Sequence, residues 1–235
     1  MGEIEISMHK LKQKYIAGTK AVVGENAKEA NTYMHWMLGK KFIVYPDVFS
    51  QKYFTDTEFF AKEIKVTQGE KFLEIGPGTG IISVFAALQG AKRVVAIDIN
   101  PSAVKNTKIN AKLHAVSHRV KVYQGDVYAP LERSDRFDTI FWNTPFGYIK
   151  HSNISMLERA VFDPHYKSTK KFVEEAKEHL KKNGRLLIGF STTLGHFSIL
   201  KKLLVSANFK IIKLIAETRS FETHPVKFQL YEAKL

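Results

Sequence analysis

The sequence contains no cysteine among its 235 residues. A disulfide framework, a thiolate nucleophile and a zinc site built on thiolates are therefore excluded, and a cytoplasmic location is expected. No apolar run approaches the ~18 residues of a membrane-spanning helix. Residues 1–6 lack the basic and then apolar profile of a secretory signal, and internal repeats and low-complexity segments are also lacking.

Acidic residues are outnumbered, since 36 Lys and Arg face 23 Asp and Glu for a formal net charge of +13. Such a balance favours an acidic partner such as RNA or a ribonucleoprotein. The basic residues are nevertheless scattered, with no arginine-rich tract, so a surface charged for solubility explains them equally well. With 44% hydrophobic residues, the chain can bury a substantial core as one domain with a short extension.

The most informative segment is the glycine-rich stretch at residues 73–80, Leu-Glu-Ile-Gly-Pro-Gly-Thr-Gly. Lys71–Ile75 is predicted to be a buried strand, and the apolar residues from Ile81 onwards have helical spacing. Between the two, the backbone must turn sharply and approach a ligand, which glycine permits because it has no Cβ. The first helical turn also offers unpaired N–H groups. A tight loop without a ligand is the alternative interpretation.

The glycine spacing separates two classes of ligand. A dinucleotide fingerprint, G-x-G-x-x-G, would need its third glycine where Ile81 stands. The segment instead resembles the acidic-x-G-x-G-x-G motif of methyltransferases that use S-adenosyl-L-methionine (SAM). The resemblance implies that the residues of this motif contact SAM, namely Glu74, Gly76, Pro77, Gly78 and Gly80.

A second candidate for cofactor binding is Asp98, which ends the predicted strand Arg93–Asp98 about twenty residues beyond the glycines. At that separation a carboxylate can accept hydrogen bonds from ribose hydroxyls. Asn100 and Pro101 follow as a predicted helix N-cap and first helical residue. A simple strand-end or capping acid is an equal alternative for Asp98. We include its neighbour Ile99 in the predicted cofactor site, and Asn143 as well.

The third candidate is the Gly125-Asp126 pair, where another short alternating strand stops. In the methyltransferases this position contacts adenine. The resemblance implies that Asp126 accepts a hydrogen bond from the adenine amino group and that the Val127 amide meets a ring nitrogen. An ordinary turn acid is the alternative, because Gly-Asp is also common turn chemistry.

The segment Asn143-Thr144-Pro145-Phe146 indicates the type of reaction. It resembles the N-P-P-[Y/F] motif of methyltransferases that modify planar nitrogens, either the glutamine amide or the exocyclic amine of adenine or guanine. Such a nitrogen is a poor nucleophile because its lone pair is delocalised. By this resemblance the Asn143 side-chain oxygen and the Thr144 carbonyl would hold the nitrogen and stabilise its developing charge, with Phe146 against the planar group.

Thr144 departs from the motif, which usually has proline at this position. The backbone is expected to be less rigid with threonine than with proline. An Asn-x-Pro turn without function is the alternative interpretation of the segment. No general base is assigned, because the product nitrogen can lose its proton to water. No histidine pair has the His-x-x-x-His spacing of a helical zinc site with a partnering glutamate, and no metal is expected. His151 is retained only because it follows the motif.

We predict an amino-terminal helical extension at residues 1–46 and a methyltransferase domain at 47–235. The aromatic cluster at residues 33–38 is assigned to packing. A helix is predicted to open at residues 55–58 with capping chemistry and to run to about Ile64. In the glutamine methyltransferases a similar helix closes over the cofactor, so Phe54, Asp56 and Thr57 are secondary candidates for contact with SAM or substrate.

Residues 147–166 are predicted to be a long loop that selects substrate. An amphipathic helix at 167–180, closed by Asn183 and Gly184, leads to a strand at 185–190. A helix at 196–206 and antiparallel strands near 210–216 and 226–232 complete the expected fold. That fold is α/β, a Rossmann-like, mostly parallel sheet of seven strands with a closing antiparallel hairpin, flanked by helices.

The sequence therefore predicts an SAM-dependent N-methyltransferase that resembles the short forms of the release-factor glutamine methyltransferases. Its expected partner is a protein, such as a translation factor, or RNA, with no membrane. A methyltransferase of RNA or DNA bases and one of small-molecule amines are alternatives. A catalytically inactive SAM-binding module is disfavoured by the intact 143–146 segment, and a nicotinamide enzyme is disfavoured by Ile81.

Overall fold

The strand that precedes the glycine loop, Lys71–Ile75, lies inside a seven-stranded sheet in the computed structural model, which describes residues 2–219 and 226–235. The strands of the chain are β1 (Tyr33–Met37), β2 (Lys40–Val44), β3 (Lys71–Ile75), β4 (Arg93–Asp98), β5 (Val120–Gln124), β6 (Phe137–Asn143), β7 (Gly147–Ile149), β8 (Phe162–Pro164), β9 (Leu180–Phe190), β10 (Lys210–Arg219) and β11 (Lys227–Lys234). The helices are α1 (Gly2–Ala27), α2 (Asp56–Glu63), α3 (Ile81–Leu88), α4 (Pro101–Leu113), α5 (Lys167–His179) and α6 (Phe197–Ser206), with a 3₁₀ turn at Glu158–Ala160.

The large sheet has the order β10-β11-β9-β6-β3-β4-β5. Strands β9, β6, β3, β4 and β5 are parallel, whereas β11 pairs antiparallel with both β9 and β10. The predicted Rossmann-like sheet with a closing antiparallel hairpin is therefore confirmed. Side chains of α5 and α6 pack on one face of the sheet and those of α2, α3 and α4 on the other, as expected of a sheet flanked by helices.

The amino-terminal region differs from the prediction of a helical extension. Helix α1 ends at Ala27, and β1 and β2 then form an antiparallel hairpin whose turn contains Leu38 and Gly39, both with positive φ. Asn110 of α4 ties this hairpin to the sheet domain, because its side chain accepts from the Ile43 N–H and donates to the Ile43 carbonyl. The packing role predicted for residues 33–38 fits buried Met37 but is wrong for Trp36, which is 63% exposed.

Two further local predictions are corrected. Asn183 and Gly184 do not close α5, because the helix ends at His179 and both residues lie inside β9, where the pairing with β6 shifts register after Leu180. Residues 147–166 are not a plain loop, since β7 and β8 pair in a small parallel sheet of their own. Among the described residues, no helix is both long and apolar enough to cross a membrane.

Candidate active site

A cavity of about 420 Å³ opens at the carboxyl ends of β3, β4, β5 and β6. Ligands of open α/β sheets bind at this edge. The cavity brings together most of the predicted site residues, which come from four strand ends: Glu74, Gly76, Pro77, Gly78, Asp98, Ile99, Asp126, Val127, Asn143 and Pro145. Gly80, Thr144 and Phe146 do not line it.

The glycine loop has the backbone conformation that the sequence predicts. Gly76, Gly78 and Gly80 all have φ between 56° and 80°, where L side chains are strained. A Cβ on Gly76 would lie 2.8 Å from Nε1 of Trp142, and one on Gly80 would lie 2.7 Å from the Thr107 side chain. Gly80 is therefore required for packing the start of α3 against α4, and Gly76 for packing the loop against Trp142 of β6.

Asp98 lies at the end of β4 and braces the glycine loop. Its carboxylate accepts hydrogen bonds from the Gly78 N–H (3.0 Å) and the Asn100 N–H (2.9 Å). Burial raises the pKa of Asp98 to about 6, against the opposing effect of these backbone donors. Because a carboxylate has about four acceptor positions, two remain for a ligand. Asn100 also caps α4 as predicted, accepting from the Ser102 N–H, with Pro101 following.

Glu74 lies at the base of the same cavity and is 3% exposed. The Ser83 hydroxyl of α3 donates a hydrogen bond to its carboxyl group. Burial, helped by the nearby charge of Asp98 and opposed by the hydrogen bonds from Ser83, raises the pKa of Glu74 to about 8. Glu74 therefore holds a proton at neutral pH in the free protein.

The side of the cavity formed by the ends of β4 and β5 combines a strained residue with an exposed apolar one. Val127 has φ of 55°, which is an outlier for a β-branched residue. Such strain clusters at functional sites. Ile99 lines the cavity while remaining 41% exposed. The Asp126 carboxylate is engaged by Lys171 Nζ at 2.8 Å in a half-exposed ion pair, a contact that the sequence did not indicate.

Asn143 ends β6 and contacts Asp56 at the start of α2. Its Nδ2 donates to Oδ2 of Asp56 at 2.7 Å, whereas its own Oδ1 is buried without a hydrogen-bond partner among the described residues. Thr55, the N-cap residue of α2, makes no side-chain capping hydrogen bond. Asp56 is 3% exposed, and burial raises its pKa. The contact fixes the Asn143 amide with its carbonyl oxygen available.

Thr144 stands where the resembled motif has proline, and it is anchored to the neighbouring strand. Both its N–H (3.1 Å) and its hydroxyl (2.8 Å) donate to the Gly189 carbonyl of β9. Proline could make neither bond. Thr144 is almost completely buried, so the backbone of the motif is held by hydrogen bonds in place of a ring.

Phe146 turns away from the first cavity and packs edge-on against Phe190. Its carbonyl accepts a hydrogen bond from the Tyr166 hydroxyl at 2.6 Å, and that hydroxyl in turn accepts from the His196 N–H. Tyr166 is fully buried with positive φ. It fixes the end of the 143–146 segment, a function that nothing in its sequence context indicated.

Several contributors to the site were missed from the sequence. Gly189 faces Asn143 so closely that a Cβ would lie 2.9 Å from Oδ1 of Asn143. A glycine inside an apolar strand signals such a close approach and could have identified it. Gln51 also lines the cavity, with a buried Oε1 that has no described partner; no sequence signal pointed to it. His151 lies outside the cavity, near Lys20.

Comparisons with known proteins place this geometry in a family. A family model described as the methyltransferase small domain matches residues 39–223. A protein from Methanocaldococcus jannaschii that carries the provisional name of protein N5-glutamine methyltransferase is 31% identical over 169 residues, 70% of this chain and 83% of its own. The release factor glutamine methyltransferase of Aquifex aeolicus is 36% identical over 149 residues, 59% of this chain and 51% of its own.

A solved structure, the tRNA m1G37 methyltransferase of M. jannaschii, matches with a TM-score of 0.60 at 19% identity. The match covers 87% of this chain and 54% of that one. At this identity the likeness concerns the fold alone.

Proposed function

This chain belongs to the methyltransferase small-domain family and is an SAM-dependent methyltransferase, and we propose that it methylates a planar nitrogen, the side-chain amide of a glutamine in a protein. The names of the two relatives support this acceptor. The observation that carries the proposal is the buried Oδ1 of Asn143, which has no described partner while its Nδ2 is held by Asp56.

We assign the first cavity to SAM. The glycine loop supports this assignment, since Gly76 and Gly78 line the cavity with backbone alone. The wall of the cavity next to the cofactor would be formed by Glu74, Gly76, Pro77 and Gly78. Gly80 would contribute by holding the backbone of the glycine loop in place. When bound, SAM supplies an electrophilic methyl group.

The remaining SAM contacts are proposed from the strand ends. The Asp98 carboxylate would accept hydrogen bonds from ribose hydroxyls. It would do so through the acceptor positions that the Gly78 and Asn100 N–H groups do not occupy. The exposed Ile99 side chain would cover a flat face of adenine, whose apolar surface it suits. Asp126 and the strained Val127 would contact the adenine edge, with Lys171 orienting the Asp126 carboxylate.

The acceptor nitrogen is held, in this proposal, by Asn143 and Thr144. Oδ1 of Asn143 and the Thr144 carbonyl would accept hydrogen bonds from the two N–H groups of this nitrogen. They would thereby stabilise the positive charge that develops on the nitrogen during methyl transfer. Because the hydrogen-bonding oxygen of Asn143 is already desolvated and held by packing, little free energy is lost to its reorganisation. Asp56 is a positioning residue, because its carboxylate keeps Oδ1 of Asn143 facing the acceptor. Pro145 lines the SAM cavity and Phe146 would flank the planar group from the far side.

A second candidate acceptor is the exocyclic amine of an RNA or DNA base. The net charge of +13 favours it, because a polyanion would be attracted to this surface. The positive charge is equally compatible with a translation factor as the acceptor, because a factor bound to the ribosome is surrounded by RNA. A small-molecule amine is the third class that this chemistry could serve. We propose a cytoplasmic location for the reaction, and we retain the division into an extension at 1–46 and a methyltransferase domain at 47–235.

The test is to incubate the protein with methyl-labelled SAM and a cell extract, and then to divide the products between ribonuclease and protease. We expect protease to release the label and acid hydrolysis to yield methylated glutamine or its breakdown product methylamine. Release by ribonuclease would replace glutamine with a nucleic-acid base. Label confined to small molecules would contradict both macromolecular acceptors.

A further inference from the structure

Two stretches of the chain contain basic residues and no acidic one. Residues 30–46 include Lys40 and Lys41, residues 99–125 include five Lys and Arg, and neither stretch contains an Asp or Glu. The first stretch holds the hairpin of β1 and β2, and the second holds α4 and β5. Positive charge therefore collects wherever the two stretches lie side by side.

The fold places the hairpin and α4 next to each other. The side chains of Asn106 and Asn110 on α4 hydrogen-bond the backbone at residues 43 and 45. Just beyond the end of the helix, Nε2 of His114 lies 2.9 Å from the carbonyl oxygen of Lys41. The exposed side of α4 therefore continues onto the hairpin. We call this region the basic surface, and its lysines are Lys40, Lys41, Lys105, Lys108 and Lys112.

The lysines of the basic surface are not neutralised by carboxylates. Among the side chains that the structure describes, none of the five takes part in an ion pair. Burial lowers the pKa of His35 in the hairpin and the charge of Glu58 opposes that shift. His35 and Trp36 nevertheless point to opposite faces of β1, because successive residues of a strand alternate. The basic surface therefore presents unpaired positive charge, which is the electrostatic footprint expected for a polyanion.

An exposed tryptophan stands beside these lysines. Trp36 is 63% exposed, and Met34, two residues earlier on the same face of β1, is 49% exposed. Lys41 pairs with Trp36 across the hairpin, and its Nζ lies 4.9 Å from the centroid of the indole ring. Unpaired nucleic-acid bases stack on such aromatic side chains while neighbouring cations contact the phosphates. Trp36 also precedes residue 39, where the family match begins, so the shared domain does not account for it.

The composition of the basic surface favours RNA over other acidic partners. The cores of protein–protein interfaces are depleted of lysine, which here supplies the charge. A helix that binds a lipid surface inserts its apolar face, whereas the apolar residues Ala103, Val104 and Ala111 of α4 are buried in the protein. Duplex DNA keeps its bases stacked inside the helix, while RNA exposes unpaired bases in loops and bulges. Single-stranded RNA is therefore the partner that can use both the lysines and the indole.

We propose that the basic surface and Trp36 form a docking site for single-stranded RNA, in which an unpaired base stacks on the indole and the α4 lysines contact phosphates. This inference goes beyond the proposed function. None of these residues lines the SAM cavity or the second cavity, of about 480 Å³, to which Asn143 also belongs. Because Asn100 and Ala103 at the start of α4 do line the SAM cavity, RNA bound along this helix lies next to the active site, whichever nitrogen the enzyme methylates.

The stacking contact is tested with a fluorescein-labelled single-stranded RNA of about 12 nucleotides, within the usual range of site sizes. Binding is measured by fluorescence anisotropy. Trp36→Ala should weaken binding about ten-fold, since it removes one stacking partner, whereas Trp36→Phe keeps an aromatic ring and should retain most of the affinity. The chain has two tryptophans, and Trp142 is buried. Unlabelled RNA should therefore quench the intrinsic fluorescence of Trp36, and this quenching should be lost in Trp36→Phe.

The charge contacts are tested by the triple variant Lys105→Gln/Lys108→Gln/Lys112→Gln. The matched control is Lys177→Gln/Lys201→Gln/Lys202→Gln, which also removes three exposed charges from helices, α5 and α6, that pack on the opposite face of the sheet. Glutamine and lysine have similar helix propensities. We expect the α4 variant to weaken binding at least about ten-fold and to lower the slope of log Kd against log salt by about 2, because each phosphate contact on a single strand contributes about 0.7. The control should change both much less.

Melting temperatures and SAM affinities equal to those of the wild type verify that the variants are folded. RNA binding that falls equally in the two triple variants, or that is unchanged by Trp36→Ala, would overturn the proposal, since net charge alone would then explain it. Tighter binding of phosphatidylserine vesicles or of duplex DNA, with the same dependence on Trp36, would overturn RNA as the partner. Methylation plays no part in these measurements, so their failure would leave the proposed function standing.

Discussion

Asn143 donates its side-chain amide to Asp56 across 2.7 Å, although the two residues are 87 positions apart in the chain. The contact joins the strand end that carries the 143–146 segment to the helix that precedes the glycine loop. It leaves one amide oxygen and one carboxylate oxygen buried without a hydrogen-bond partner among the described residues. Asn143 and Asp56, which were interpreted separately in the sequence, therefore form one hydrogen-bonded pair.

Replacing Asn143 with alanine should remove the hydrogen-bond acceptor for the substrate nitrogen. The residues of the glycine loop that are proposed to contact SAM should stay in place. Loss of one preorganised group at a reacting centre costs on the order of a hundred-fold in rate. We expect Asn143→Ala to lower kcat by about that factor and to change SAM affinity little, as measured by turnover and calorimetry. A fully active variant would show that the proposed site is wrong.

Asp56→Ala should free the Asn143 amide to rotate. Because small misplacements of a positioning group reduce rates strongly, we expect kcat to fall about ten- to a hundred-fold with SAM affinity unchanged. Glu58→Ala is the matched control, since Glu58 lies on the same helix and forms an exposed ion pair with Lys62. Equal activity of the two variants would contradict a positioning function for Asp56.

SAM affinity should depend on pH through Asp98. Its pKa of about 6 means that the carboxyl is protonated below pH 6 and ionised above it. Ribose hydroxyls donate more strongly to the ionised form, so the dissociation constant should fall as pH rises from 5 to 7. Asp98→Asn, which cannot ionise, should bind more weakly and show a flatter profile in calorimetry. An unchanged wild-type affinity across this range would argue against the ribose assignment.

Stability should decrease with rising pH because of Glu74. Its folded pKa of about 8 lies above the ordinary value of 4.5, so the native state binds more protons than the unfolded state between those values. The free energy of unfolding therefore falls through that interval, by at most ~1.4 kcal/mol per pH unit from this group, and levels off above pH 8.

Glu74→Gln provides the test, because it retains an acceptor for the Ser83 hydroxyl without a titrating proton. Relative to the wild type, it should gain stability between pH 5 and pH 8 in urea denaturation of the ligand-free proteins. A constant difference between the two proteins over that range would show that Glu74 titrates normally.

The core of this fold could be predicted from the sequence because its signals are local. The alternation of strand and helix patterns, the glycine spacing and the Asn100-Pro101 helix start each depend on neighbouring residues, and the structure agrees with them. The turn of the first hairpin carries Leu38 at φ 48°. Tight hairpin turns usually place Asn, Asp or Gly there, so the hairpin gave no turn signal.

The parts of the site that escaped prediction depend on contacts between distant segments. Asp56 was interpreted as part of a helix cap, because short polar residues at a helix start usually cap it; only the folded chain brings it to Asn143. Likewise, Tyr166 donates to the carbonyl of Phe146 across 20 positions of the chain, next to the paired strands β7 and β8. Spacing along the sequence cannot encode such distances.

The two hydrogen bonds from Thr144 to the Gly189 carbonyl make the motif depend on its neighbouring strand. A proline ring keeps its conformation whatever surrounds it, whereas hydrogen bonds last only while β6 and β9 remain paired. The Thr144 amide should therefore exchange its hydrogen only with the slow opening of the central sheet. In this protein the 143–146 segment would lose its shape during that same opening, so its geometry lasts no longer than one strand pairing.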